Sequence, residues 1–245
     1  MNLSLLVDAW LLAGLRFAPL LLVPAMTPFN WAPVYVRTIL LLALAALVVG
    51  VVPAVEPQNL FLAAISELMV GACYGLAVML PMAALGLPAR LLDLQAGLAS
   101  ASLFNPGIQG TDSLLGTILS LAGTMVFFSL GFHLLVFRGL VASARLMPLG
   151  GVARAPSLDG VLNLLGSQFL LGLMVVLPVV LGLFAVDVFV AISSRSMPQA
   201  NVYFLSLPLK VVAVLLLLAA SLRMAPSLMG RLFQDALSRV SVLGG

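Results

Sequence analysis

The sequence is short of charge. Of its 245 residues only 8% are Asp, Glu, Lys or Arg, while 63% are hydrophobic. A soluble domain carries about 25% charged residues. Eleven basic and eight acidic side chains are too few to coat a water-facing surface of this size. That scarcity excludes an ordinary soluble globule, a disordered tail and a nucleic-acid binder working through a basic face. The mean hydropathy of +1.24 makes the bilayer the solvent, and the chain reads as an integral membrane protein.

Cysteine, histidine and lysine occur once each, as Cys73, His133 and Lys210. A lone cysteine excludes an intramolecular disulfide or a thiolate cluster, and reads as a small buried hydrophobe. A lone histidine excludes a multi-histidine metal site, and His133 reads as a hydrogen-bonding residue at a helix end. There is no G-x-S-x-G, no H-E-x-x-H and no phosphate-binding loop. The expectation is a protein without catalysis, cofactor or metal. Asp8 precedes the first basic residue, Arg16, the wrong order for a secretory signal peptide, so the chain is read as mature from residue 1.

What is abundant is uninterrupted apolar sequence. The charge-free intervals are 17–36, 38–55, 68–89, 113–137 and 160–186, and a last block, 202–222, holds only Lys210. A span needs roughly 20 apolar residues. Six helices are expected, near 4–26, 36–54, 60–87, 113–137, 160–193 and 202–224. The fifth carries Pro178 near its middle, and the first carries Pro19 and Pro24. Proline removes a donor and bends the axis, so kinked or broken helices are expected, packed against other protein. With six spans, one side holds Arg138, Arg145, Arg154, Arg223, Arg231 and Arg239, and the other Arg37, Arg90 and Arg195. The positive-inside rule then puts both termini in the cytoplasm. No repeat or low-complexity tract divides the chain, which reads as one domain.

Gly71 and Gly75 form a G-x-x-x-G pair, and with Gly97, Gly116, Gly123 and Gly172 suggest close approach of helices. Arg16, Glu67, Asp187 and Lys210 are ionisable residues inside apolar blocks, where an unpaired charge costs several kcal/mol. Asp187 lies about ten residues before the polar break at 194–201, and Lys210 about twelve after its centre. An antiparallel hairpin brings them within about 3 Å in depth. A structural ion pair is favoured over an ion-transport site. Between apolar blocks, Phe104, Asn105, Pro106, Gly107, Ile108, Gln109 and Gly110 begin a run of turn formers that cannot continue a helix.

These residues also carry a resemblance. Glu67-x3-Gly71-x3-Gly75, then Asp93-x-Gln95-x-Gly97-Leu98 and Phe104-Asn105-Pro106, is similar to the type III export-apparatus family. Its members are the flagellar biosynthetic protein R and the T subunit of virulence injectisomes. The similarity continues through Gly131-x-His133 and Leu146-x-Pro148-x-Gly150, and ends in Arg195-x-x-Pro198-Gln199-x-x-x-Tyr203 with Pro208 and Lys210. It covers roughly residues 60–225. Ala89, Arg90 and Asp93 depart from the flagellar Gly-Glu-x-x-Gly-x-Gln, and Tyr203 replaces the usual Phe. Pro81 and Asp93 look like the injectisome branch; Gly131-x-His133 and residues 146–150 look flagellar.

The resemblance implies an all-α polytopic membrane protein with broken helices, packed in a helical export-gate assembly. It implies P, Q and B subunits as partners, unfolded secreted proteins as substrates, and a place in the bacterial inner membrane within the flagellar basal body. Residues 104–110 correspond to the family's plug, a gating element closing the conduit. A small secondary transporter with Glu67, Asp187 and Lys210 at its core is the rival from another class. An intramembrane enzyme is disfavoured by the missing motifs.

Overall fold

The computed structural model describes residues 3–23, 28–52, 57, 59–98, 113–151, 157–196 and 202–243. The regular elements among them are all helices: α1 (Leu3–Leu22), a 3-10 helix (Pro28–Trp31), α2 (Val34–Val49), α3 (Leu60–Ala96), α4 (Leu114–Ser129), α5 (Phe132–Leu146), α6 (Leu158–Ser196), α7 (Val202–Ser221) and α8 (Ala225–Leu243). An apolar chain in lipid must satisfy its own backbone, and the helix does so locally.

The helix ends are set by identifiable side chains. Asn59 Oδ1 accepts the N–H of Phe61 at 3.0 Å, which opens α3. Ser113 Oγ accepts the N–H of Gly116 at 2.8 Å and opens α4, and Ser157 Oγ accepts that of Gly160 at 3.2 Å at the start of α6. The C-terminus of α3 is closed by Gly97 at φ +77°. There the Leu98 N–H donates to the Asp93 carbonyl at 3.0 Å and the Gly97 N–H to that of Leu94 at 3.2 Å. This is a Schellman stop, which uses a left-handed residue to satisfy the last carbonyls.

Six apolar segments are legible as helices, with changed bounds. The third runs on through Pro81 and Pro88 to Ala96. The fifth runs from Leu158 to Ser196 without interruption at Pro178. The fourth is two helices, because Gly131 at φ +73° ends α4 and starts α5. Residues 138–146, read as loop, are helical, and the C-terminal tail is α8. The pairs α4–α5 and α7–α8 are bent by 63° and 68° at their short breaks. Among the described residues, three helices can cross a membrane by length and composition (α1, α3 and α6), or up to five candidates if each bent pair is one span. Helix α2 has 16 residues, short for a span. The six apolar segments thus correspond to three to five candidate spans among the described residues, as an all-α polytopic membrane protein requires.

The chain divides into two units, each discontinuous in sequence. The first comprises residues 1–82, 127–168 and 233–245. Its interior packs Phe17, Leu20, Leu41, Val78, Phe127, Leu140 and Phe233. Phe29 meets Phe127 and Phe128 edge-on, with centroids 5.8 and 5.9 Å apart. Such contacts carry more weight here than transfer from water, because lipid is as apolar as the side chains themselves. The second unit comprises residues 83–126 and 169–232, with Leu85, Leu92, Leu115, Val176, Val214 and Met229 at its centre. Within it, a Cβ at Gly172 would lie 2.2 Å from the Ala84 carbonyl oxygen, so α3 and α6 touch backbone to backbone.

Candidate functional site

In the first unit, the Glu67 carboxylate is fully buried and takes a hydrogen-bonded ion pair from Arg16 Nε. Arg16 is 2% exposed, and its remaining nitrogens are engaged as well. Nη1 donates to Ser143 Oγ at 3.3 Å and Nη2 to the Met147 carbonyl at 3.1 Å. The second carboxylate oxygen of Glu67 accepts the backbone N–H of Gly150 at 3.3 Å. Gly150 sits at φ +95°, a left-handed conformation that glycine adopts without strain. One charged pair thus ties α1 to α3, and both to the end of α5 and the turn behind it.

The glycines beside it explain how α1 comes so close. Gly71 lies one turn beyond Glu67 on the same face of α3. A Cβ there would stand 2.2 Å from the Arg16 carbonyl oxygen. A further turn on, a Cβ at Gly75 would stand 3.4 Å from the Pro19 carbonyl oxygen. The G-x-x-x-G pair is a seat for α1 within the chain. Tyr74 then reaches α5 from the same helix, its hydroxyl donating to the Gly139 carbonyl at 3.1 Å. A buried charged pair leaves nothing exposed for chemistry. It is a joint, whose energy rests on both partners being present.

The Asp93-x-Gln95-x-Gly97 stretch belongs to the second unit. The Asp93 side chain is buried, and its Oδ1 accepts the N–H of Leu115 at 3.2 Å, capping α4 from outside. Its backbone carbonyl serves the Gly97 stop, so one residue closes α3 and opens α4. Gln95 is exposed. Gly97 works by its backbone angle and also lies close against α7, a Cβ on it standing 2.7 Å from Leu207 Cδ2, whereas Gly116 chiefly makes room for its own cap, Ser113.

Asp187 and Lys210 form the ion pair between α6 and α7 that the depth arithmetic predicts. The Lys210 side chain is 15% exposed and that of Asp187 44%. Arg195 is exposed in the last turn of α6, where a cation complements the carbonyl end of a helix. His133 does sit at a helix end, in the first turn of α5. Its Nδ1, however, is buried with no hydrogen-bond partner among the described residues, and its ring lies 5.2 Å from that of Phe128. Residues 104–110, Pro198 and Gln199 lie outside the described residues.

Two features escape a reading of the sequence. Arg16 and Glu67 each stand out as ionisable residues in apolar blocks, yet they are 51 residues apart with α2 between them. No hairpin arithmetic joins them. The other is Asp235 on α8, which accepts from Ser167 Oγ at 2.9 Å, from Gln168 Nε2 at 3.0 Å and from Arg239 Nε at 3.0 Å. Its signal was available: buried Met229, Leu232, Phe233, Ala236 and Val240 recur at helical spacing. Low overall hydropathy hid the helix.

Among the described residues, no group of three or more His, Cys, Asp or Glu is placed to hold a metal ion. The sequence matches the model of a family described as "Bacterial export proteins, family 1" over residues 7–236. The flagellar biosynthetic protein FliR of Aquifex aeolicus is 32% identical over 173 residues, 70% of this chain and 67% of that protein. FliR of Bacillus subtilis is 25% identical over 167 residues, 66% and 64% of the two chains. The Yop proteins translocation protein T of Yersinia pestis is 29% identical over 174 residues, 69% and 67%. The match therefore spans about two thirds of each relative. With nearly the whole chain inside the family model, this protein belongs to family 1 of the bacterial export proteins.

Proposed function

We propose that the chain is a structural and gating subunit of the type III protein export channel of the bacterial flagellar basal body, forming part of the conduit for unfolded substrates. The observation that carries this reading is the family match over residues 7–236, which contains every element of the buried joint. A subunit of this kind performs no chemistry on its substrate. Its charged residues fix helices, and Arg16–Glu67 and Asp187–Lys210 do so in the two units. P, Q and B subunits are its partners, and the inner membrane is its location. The helices leave large apolar faces uncovered, among them Phe169, Met174, Phe184 and Ile192 of α6, as lipid or neighbouring subunits require.

Deleting the gene and restoring it on a plasmid tests this directly. Loss of flagellar export and motility, regained with the wild-type chain, is the expected result. The chain should also be short-lived when expressed alone and persist when P and Q subunits are co-expressed. Unchanged export in the deletion strain, or a long-lived monomer alone, would overturn the reading in favour of a transporter. The injectisome reading is kept because the Yersinia pestis T protein matches a similar share of the chain. It requires loss of effector secretion with motility intact.

A further inference from the structure

We propose that the N-terminal end of α2 and the groove beside it form a binding site for one glycerophospholipid, with the phosphate at Arg37 and an acyl chain along α1. Three observations, all within the first unit, converge on it.

Arg37 is only 6% exposed, yet its Nε and Nη1 are buried with no hydrogen-bond partner among the described residues. The carboxylates of Glu67 and Asp235 are engaged elsewhere, by Arg16 and Arg239. A guanidinium cannot shed its proton to escape burial, so it calls for an anion.

The helix end around it calls for the same thing. Arg37 lies in the first turn of α2, which holds no acidic residue. Pro33 stands at the cap position and supplies no side-chain acceptor. The free N–H groups and positive dipole end of a helix bind phosphate, and a cation in that turn is unfavourable until one is bound. Helical side chains lean towards the N-terminus, which carries the Arg37 guanidinium back towards those amides.

The third observation identifies the anion's carrier. Arg37 shares one face of α2 with Leu41, one turn on. Leu41 lines a cavity of about 410 Å³, together with Leu42, Trp10, Leu15, Leu22 and Leu60. Among the described residues, no charged side chain lines it. From Trp10 to Leu22 the groove follows α1 for about 18 Å, close to the length of an extended phospholipid chain. Trp10 Nε1 donates to the Leu42 carbonyl at 3.4 Å and Gly14 faces Leu41, so α1 and α2 run antiparallel and the Leu22 end of the groove lies towards the N-terminal turn of α2 that carries Arg37. Trp31 and Tyr35, each 67% exposed, flank this point as aromatic residues do at the headgroup level. A free phosphate would need the arginine and the amides but not the groove.

The test uses the full chain, solubilised in mild detergent with whatever subunits accompany it, and phosphatidylglycerol carrying a photoreactive group in its acyl chain. Peptide mapping of the wild type should place the label on α1 between Leu11 and Leu22 and on Leu41 and Leu42. Arg37→Gln, which removes the charge-assisted contact, should lower that labelling about tenfold. Gly14→Leu should do the same by a different route. A Cβ at Gly14 meets only Leu41, at 3.8 Å, so a larger side chain extends into the groove. Excess inorganic phosphate should leave the label in place; its displacing the lipid would show a free-anion site and overturn the proposal. Label spread evenly over the apolar surface, or unchanged in both variants, would overturn it too. So would groove peptides found cross-linked to another protein segment. The wild-type map decides the matter even if a variant fails to fold.

Discussion

The backbone of Arg16 lies against Gly71 while its side chain ends on Glu67, one helical turn back on α3. Close approach and charge pairing are therefore one arrangement: without the glycine, the arginine would stand too far out for this geometry.

Gly71→Ala should be among the most damaging small substitutions in the chain. Its Cβ would lie 2.2 Å from a backbone oxygen, and backbone cannot swing aside as a side chain can. Overpacking of this kind costs about 1–3 kcal/mol or more. Gly86→Ala, on the same helix but with nothing within 4 Å, is the control and should be neutral or mildly stabilising. Thermal unfolding in detergent of the two variants measures the difference, and equal effects would refute the seat.

Glu67→Gln should destabilise strongly, on the order of 3–5 kcal/mol, because it strands the buried Arg16 charge. Arg16→Met combined with Glu67→Leu should recover a good part of that loss. If the double variant is as poor as the single, the charge is not what the site is built around.

Between α6 and α7 the same logic applies to Asp187 and Lys210. Asp187→Asn leaves an ammonium that is 15% exposed without its partner. Assembly, followed by the amount of chain recovered in the membrane complex, should fall in the single variant and return when Lys210→Met is added. Equal recovery of single and double variants counts against the pairing.

Asp93→Ala removes the acceptor for the Leu115 N–H and should cost about 0.5–2 kcal/mol, as loss of a helix cap does. Asp93→Asn keeps an acceptor oxygen and should be close to wild type. Gly97→Ala should be worse than Asp93→Asn, since it forces a side chain into φ +77° with Leu207 Cδ2 2.7 Å from the new Cβ. Hydrogen exchange at the start of α4 reports the loss of the cap.

Deleting residues 106–110 should leave the complex formed but make cells permeable to small solutes, as expected of a segment that closes a conduit at rest. Unchanged permeability in an intact complex would make this stretch a connector.

The sequence by itself decides the solvent, the helical class and the family. Each follows from local or order-dependent information: scarce charge, apolar runs of span length, and motif residues in a fixed order. It also decides the Asp187–Lys210 pair, because a hairpin turns sequence separation into depth. Glycine conformation is half legible. The spacing of Gly71 and Gly75 marks a contact, but not that its partner is α1 of the same chain. The sequence does not decide where α4 gives way to α5, since Gly131 interrupts an apolar run without lowering its hydropathy. It does not decide α8 either, which is held by one face and by Asp235 rather than by apolar length. The Arg16–Glu67 joint, with Ser143, Met147 and Gly150 around it, is decided by tertiary structure alone. Its members lie up to 134 positions apart, and the packing of α1 across Gly71 and Gly75 brings a buried arginine to the buried carboxylate that neutralises it.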